Sequence, residues 1–243
     1  MVRATDPIAS VYGAFGKFTS THGIALSDIK EVHITGVGSA FVDSTIYGLP
    51  TVRVQEFESN ARGGLYLSGL NRAIIVSMGT GTAYVYADGN GSEYLGGTGV
   101  GGGTLIGLSK KLLAMSDPEQ IAVLAEKGDL ANIDLRISDI SKSAINSILL
   151  DHTTAANFGK VDDLASREDI ALGIFNMVYE TIGMLAVFAA RQKELRDVVL
   201  IGNLAGLPHA HATFETIGKM FDMHFLIPEL STFGTVIGAC LTK

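Results

Sequence analysis

Cysteine is nearly absent: Cys240 is the single one in 243 residues. That excludes a disulfide-stapled scaffold and a cysteine-based zinc site, and it suits a reducing compartment. Positive charge is scarce too. Lys and Arg number 18 against 25 Asp and Glu, a formal net charge of −7, and no basic block occurs. A nucleic-acid surface needs clustered positive charge, so the sequence argues against that class of partner. Charged residues make up only 18% of the chain and hydrophobic ones 47%. Disorder, a coiled coil and a low-complexity array are thereby excluded as the main architecture, and a sizeable core can form. The opening, Met1–Ser10, has no apolar signal core. The expectation is a soluble, cytoplasmic protein with no membrane partner.

One segment tests that expectation. Ile170–Ala190 is apolar apart from Asn176, Tyr179, Glu180 and Thr181. As a membrane span it would carry Glu180 near the bilayer centre, at a cost of a few kcal/mol. A buried helix, at a core or a subunit interface, avoids that cost.

Glycine is in excess, with 29 residues, or roughly 12% against a typical ~7%. It bunches in three turns: Met78–Thr82, Gly96–Gly103 and Gly202-Asn203. Bunched glycine marks backbone that turns tightly or approaches a ligand closely. With a helix expected from Thr104, Gly101–Gly103 would aim backbone N–H groups and a dipole end at an anion, phosphate above all. Gly97-x-Gly99-x-x-Gly102 matches the dinucleotide pattern, but no early βαβ unit surrounds it, and Gly103–Lys110 lacks the Gly-Lys-Ser/Thr ending of a Walker A loop.

The order of elements is legible. Asp6-Pro7 starts a helix that Gly23 closes. Strands are expected at Glu31–Thr35 and Thr51–Val54, a short helix at Ala40–Tyr47 and another at Phe57–Leu67. Ala73–Ser77, Ala83–Ala87 and Ser92–Leu95 read as an antiparallel meander with short links. Helices follow from Thr104 and Asp117-Pro118, and Ser166–Asp169 resembles a capping box at the head of a long helix. Val198–Ile201, His209–Phe221, His224–Ile227 and Phe233–Leu241 complete a strand, helix, strand, helix series. From residue 73 onward this order resembles one complete half of an actin-like kinase fold. The expected division is an incomplete N-terminal lobe, 1–72, and a C-terminal lobe, 73–243. The expected fold class is α/β, actin-like (ribonuclease H-like) and two-lobed, with the first lobe lacking its opening strands.

Candidate chemistry is sparse. Glu56 stands just beyond the strand Thr51–Val54, where a carboxylate can accept a proton from a substrate hydroxyl. His209-x-His211 has no third ligand in view, so no metal site is expected.

Taken together, Glu56-Phe57, Gly79-Thr80-Gly81-Thr82, Gly96–Thr104, Gly128-Asp129, Ile133-Asp134-Leu135 and Thr154-Ala155-Ala156-Asn157-Phe158-Gly159 resemble the type II pantothenate kinases, over roughly residues 30–243. The resemblance implies a homodimer that phosphorylates pantothenate to 4'-phosphopantothenate with ATP and Mg2+, opening coenzyme A synthesis. It implies that Glu56 is the general base, and that Thr80 and Gly102, Gly103, Thr104, Leu105 and Ile106 line the nucleotide phosphates. Asn203 would lie near the nucleotide, where relatives often carry Ser. Relatives open with a strand and an Asp-x-Gly-Gly-Thr loop; here the likeness starts at what would be the first helix. Relatives also carry an Arg that contacts the pantothenate carboxylate, where this chain has Tyr94. Arg62, a turn and a half beyond Glu56, is the candidate to replace that charge. Two alternatives stand beside this reading: a truncated, non-catalytic member of the fold, and a superfamily kinase for another small metabolite such as an amino sugar.

Overall fold

The computed structural model describes residues 6–42, 45–140 and 153–242. Helix α1 (Pro7–His22) starts and stops where the sequence marks it. The Asp6 carboxylate accepts from the Ala9 amide at 2.7 Å, Pro7 sits at the first position, and Gly23 closes the helix at φ 63°. A small sheet follows, in the order β1-β3-β2, built from β1 (Val32–Ile34), β2 (Thr45–Ile46) and β3 (Leu49–Arg53). β1 and β3 run parallel, while β2 and β3 form a hairpin. The helix expected at residues 40–47 is absent from the described part of that stretch; residues 43 and 44 lie outside it. Val37–Phe41 makes only a 3₁₀ turn. Tyr47 and Gly48 both take positive φ, 52° and 78°. That pair makes the twisted two-residue link a hairpin needs.

Helix α2 (Glu56–Ser68) leads into the main sheet: β4 (Arg72–Met78), β5 (Thr82–Asp88), β6 (Gly91–Thr98), β9 (Asp197–Ile201) and β10 (His224–Leu226), in the order β10-β9-β4-β5-β6. β4, β5 and β6 are the expected antiparallel meander, and β4, β9 and β10 run parallel. Helices α3 (Gly102–Leu113), α4 (Pro118–Ala125), α6 (Arg167–Gln192) and α7 (Pro208–Phe221) cover one face. Ile74, Val76 and Met78 of β4 point into that side, while Ala73 and Ile75 point to α2 and to α8 (Gly234–Leu241) on the other. β4 is therefore buried on both faces, as its unbroken apolar run requires. Between α4 and α6 the chain adds a two-stranded ribbon, β7 (Leu135–Arg136) with β8 (Thr154–Ala156), and a short helix α5 (Ile137–Ile140).

α2 lies before residue 72 yet packs on the main sheet. Its Ala61 shares a core with Ile75, Val85, Val199 and Ile201. Its contact with α8 is backbone to backbone: a Cβ on Gly63 would collide with the Gly234 carbonyl, and one on Gly238 with the Ser59 carbonyl. Only glycine permits that approach.

α6 is long and apolar enough to cross a membrane by length and composition. Its apolar side chains are instead in the core of this chain. Ile174, Phe175, Val178, Tyr179, Ile182, Ala186, Val187 and Ala190 are fully buried against α3, α4, α7 and the sheet. The capping box forms as expected, with Ser166 and Asp169 bonding each other's backbone.

Candidate functional site

Three glycine-rich turns meet at the carboxyl ends of the parallel strands β4 and β9, where open α/β sheets hold their ligands. Gly79–Gly81 leaves β4, Gly99–Gly101 leads into α3, and Gly202-Asn203 leaves β9. The Gly102 amide donates to the Gly79 carbonyl at 2.9 Å, and the Gly103 amide to the Thr80 carbonyl at 2.8 Å. A Cβ on Gly101 would stand 2.7 Å from the Thr80 carbonyl oxygen, and one on Gly81 2.8 Å from that of Thr98. Gly202, at φ 96°, leaves only 2.6 Å between a Cβ and the Met78 carbonyl oxygen. The close approach these glycines permit is thus of turn to turn. Within the expected phosphate-lining stretch, the amides of Gly102 and Gly103 are already bonded. Leu105 is buried in the core and Ile106 packs against it. The Thr104 hydroxyl donates to the Gly99 carbonyl at 2.9 Å and accepts from the Gly101 amide. Thr80 and Asn203 differ: both are exposed, and their side chains make no hydrogen bond among the described residues. With the positive end of the α3 dipole, they give this corner its capacity for an anion.

Glu56 is the first residue of α2 and is half-buried. Its neighbour Phe57 stacks on Tyr94 of β6, with ring centroids 4.1 Å apart and planes 13° from parallel. A β-bulge aims that tyrosine. Tyr84 pairs with Gly96 and Val85 with Tyr94, leaving Leu95 as the extra residue. The bulge brings Tyr94 and Gly97 to one side, so that a Cβ on Gly97 would be 2.9 Å from the Tyr94 hydroxyl. Tyr94 therefore links the head of α2 to the glycine run. Arg62 does not join it. Its guanidinium makes a two-pronged pair with Glu58, at 3.0 and 2.9 Å, beside a groove of about 400 Å³ lined by the β5–β6 turn, Asp88–Ser92.

A second polar group escaped the sequence reading. Asp134, fully buried, accepts from the Phe158 amide and the Asn176 side chain, both at 2.8 Å. Glu180 accepts from Thr154 and Asn157, also at 2.8 Å each. Asp169 accepts from the Asp129 amide, the Ser166 amide and Asn132. Burial pushes the Asp169 carboxyl up, but these hydrogen bonds outweigh it and hold the group below its usual range. The string Thr154–Gly159 thereby docks the ribbon onto α6. Its signal was present: Asn176 and Glu180 stand four apart on an otherwise apolar helix. His209 and His211 diverge, His209 stacking on Phe175 at 4.9 Å in a cavity of about 550 Å³ between α6 and α7. Burial lowers the His209 pKa. Among the described residues no group of three His, Cys, Asp or Glu could hold a metal.

The Fumble family model matches residues 14–225. The chain belongs to the Fumble family of type II pantothenate kinases. It is 34% identical over 186 residues to the type II pantothenate kinase of Oceanobacillus iheyensis, covering 73% of this chain and 68% of that protein. It is 32% identical over 186 residues to the one from Staphylococcus epidermidis, with coverage of 72% and 69%. Among solved structures, it matches the activator of the 2-hydroxyisocaproyl-CoA dehydratase from Clostridium difficile with bound ADPNP. The TM-score is 0.67 at 18% identity, over 96% of this chain and 80% of that one. The ethanolamine utilization protein EutJ of Carboxydothermus hydrogenoformans gives a TM-score of 0.58 at 13% identity, over 98% and 74%. These likenesses show the fold, the actin-like one. In this family member, then, Phe57, the neighbour of Glu56, stacks on Tyr94, Thr80 and Asn203 stand on the turns that leave β4 and β9, and Arg62 stays along α2.

Proposed function

We propose that this chain phosphorylates the primary hydroxyl of pantothenate with ATP and Mg2+, giving 4'-phosphopantothenate, the first step of coenzyme A synthesis. We place it in the cytoplasm and infer that it acts as a homodimer. One observation carries the reading: Glu56 heads α2 beside a tyrosine that leans on the glycine run, in a chain about a third identical to proteins named for this reaction. ATP fits the corner by its donors. Thr80 and Asn203 would hold the phosphates beside the positive end of the α3 dipole, and ATP, when bound, supplies the phosphoryl group. Mg2+ belongs on the triphosphate oxygens, since it keeps few protein ligands and the described residues offer no acidic cage.

The chain's own part is binding and proton transfer. Glu56 accepts the proton of the acceptor hydroxyl as that oxygen becomes the nucleophile. Hydrogen bonds from the Gly102 and Gly103 amides to the Gly79 and Thr80 carbonyls keep the first two turns from shifting, while the Gly202 amide is tied to the Ser231 carbonyl. The test is phosphoryl transfer from ATP to pantothenate, with N-acetylglucosamine in parallel. Transfer to pantothenate supports the reading; transfer to the amino sugar alone, or no nucleotide binding at all, overturns it.

A further inference from the structure

Two polar groups one turn apart on α2 lack partners, and their needs match. Asn60 is fully buried. Its Oδ1 accepts from the Thr235 hydroxyl of α8 at 2.7 Å, while its Nδ2, closed off from solvent, donates to nothing among the described residues. A buried donor without an acceptor is costly, and such groups call for an explanation. Glu56 stands four residues earlier. It is half-buried and has no hydrogen bond or ion pair among the described residues. Residues four apart share a helix face. The Cα–Cβ bond of a helical residue tilts toward the N-terminus, which carries the Asn60 amide back over the turn that Glu56 opens. A glutamate side chain is long enough to span that turn.

No other group competes for either one. On α2 itself, Glu58 is held by Arg62. β4, β5 and β9 meet α2 through Ala73, Ile75, Val85, Ala87, Val199 and Ile201, none of them titratable. Asp88, across the groove from Arg62, accepts from Tyr86 and from the Asn90 and Gly91 amides. On β6, Glu93 pairs with Lys193 and Tyr94 stacks on Phe57. α8 carries no Asp, Glu, Lys, Arg or His, and its Cys240 is exposed. His33 of β1 is bound to the Ala239 carbonyl and to Glu31.

We propose that Asn60 is the positioning residue of Glu56. Its Nδ2 donates to one oxygen of the carboxylate, which favours the ionised form and leaves the other oxygen to take the proton of the acceptor hydroxyl. Thr235 holds the amide from its other end, so the donor stays aimed. This rests on Glu56 as the proton acceptor and adds what orients it.

The test has two arms. In the first, the full chain is made with 15N-labelled asparagine, and the side-chain amide signal of Asn60, identified by its loss in Asn60→Asp, is followed against pH. It should shift through the acid range in the parent and stand still in Glu56→Gln. In the second, Asn60→Leu removes the donor. Its kcat should fall by roughly 10–100-fold, the range that a hydrogen bond to a charged group supplies. The acid limb of its kcat/KM profile should move to higher pH, because the carboxylate loses a bond made to its ionised form. Asn60→Asp, nearly the same shape, should move the limb further the same way by adding a like charge one turn away; it carries this arm if Asn60→Leu does not fold. In a Glu56→Gln background Asn60→Leu should change kcat by less than about twofold. An Asn60 signal indifferent to pH, or one that shifts equally in Glu56→Gln, overturns the pairing. So does an equal loss of kcat in both backgrounds, or an acid limb that neither variant moves. An Asn60 signal that follows Glu56 while Glu56→Gln keeps full turnover supports the pairing and overturns the catalytic reading of Glu56.

Discussion

At the scale of single residues, Glu56 and His33 make the sharpest demands. Glu56→Gln keeps the shape at the head of α2 and removes the proton acceptor, so kcat should fall by roughly 10²–10⁴-fold. ATP affinity should hold, because Thr80 and Asn203 are untouched; steady-state kinetics and calorimetry read the two separately. His33 ties β1 to α8: its Nδ1 donates to the Ala239 carbonyl at 2.7 Å, and its Nε2 pairs with Glu31 at 3.0 Å. The bond to the carbonyl, then the one to Glu31, raise its pKa above the usual 6.5. A raised value means that the protonated ring stabilises the fold. That contribution is complete below 6.5 and is lost as pH rises through the folded-state value. Urea unfolding of His33→Asn against the parent should therefore show a stability gap that narrows as pH rises above 6.5. A gap constant with pH contradicts the assignment. Glu56 could be singled out from sequence because it follows a strand. His33 could not, since its partner Ala239 is 206 residues away.

Elements show why some glycines matter and others do not. Gly63→Ala drives a methyl into the Gly234 carbonyl, an overpacking cost of about 1–3 kcal/mol or more. Gly99→Ala meets nothing within 4 Å and should stay within about 0.5 kcal/mol of the parent. Thermal melts of the pair separate the two cases. Gly102→Val should lower the melting temperature as well as nucleotide affinity, because the site packs on the Gly79 carbonyl at 3.0 Å. Glu180→Leu, attractive on hydropathy alone, strands the Thr154 hydroxyl and the Asn157 amide and should cost about 1–3 kcal/mol. Caps and apolar runs made nearly every helix and strand of the main sheet legible, as Asp6-Pro7, Asp117-Pro118 and Ser166 show. The turn at Tyr47-Gly48 was missed because a tyrosine with positive φ has no local signature. The Asp134–Asn176 and Glu180–Asn157 links were missed because they join segments far apart in sequence.

For the molecule as a whole, the long apolar helix carries a different meaning from the one its composition suggests. α6 is the spine of this chain's own core, so Val187→Asp should unfold the protein rather than merely separate subunits. Leu185 and Phe188 are the large apolar side chains that α6 leaves exposed, at 38% and 57%. If α6 lies at the subunit contact of the proposed homodimer, Phe188→Asp should yield a folded monomer by light scattering. A folded Phe188→Asp dimer moves that contact elsewhere. The actin-like lobe was legible from element order because its strands and helices alternate with clear stops. The expected division at residue 72 gave no hint that α2 would pack on the main sheet and α8, since the Gly63–Gly238 contact is invisible to hydropathy. That packing sets the head of α2, where Phe57 stacks on Tyr94, and it is there that the functional reading stands or falls. The most direct measurement is transfer of the γ-phosphate of radiolabelled ATP to pantothenate by the parent and by Glu56→Gln. Labelled phosphomonoester from the parent, reduced by roughly 10²–10⁴-fold in the variant, is the predicted result. Undiminished labelling by Glu56→Gln, or none by a parent that binds both ATP and the acceptor, would contradict it.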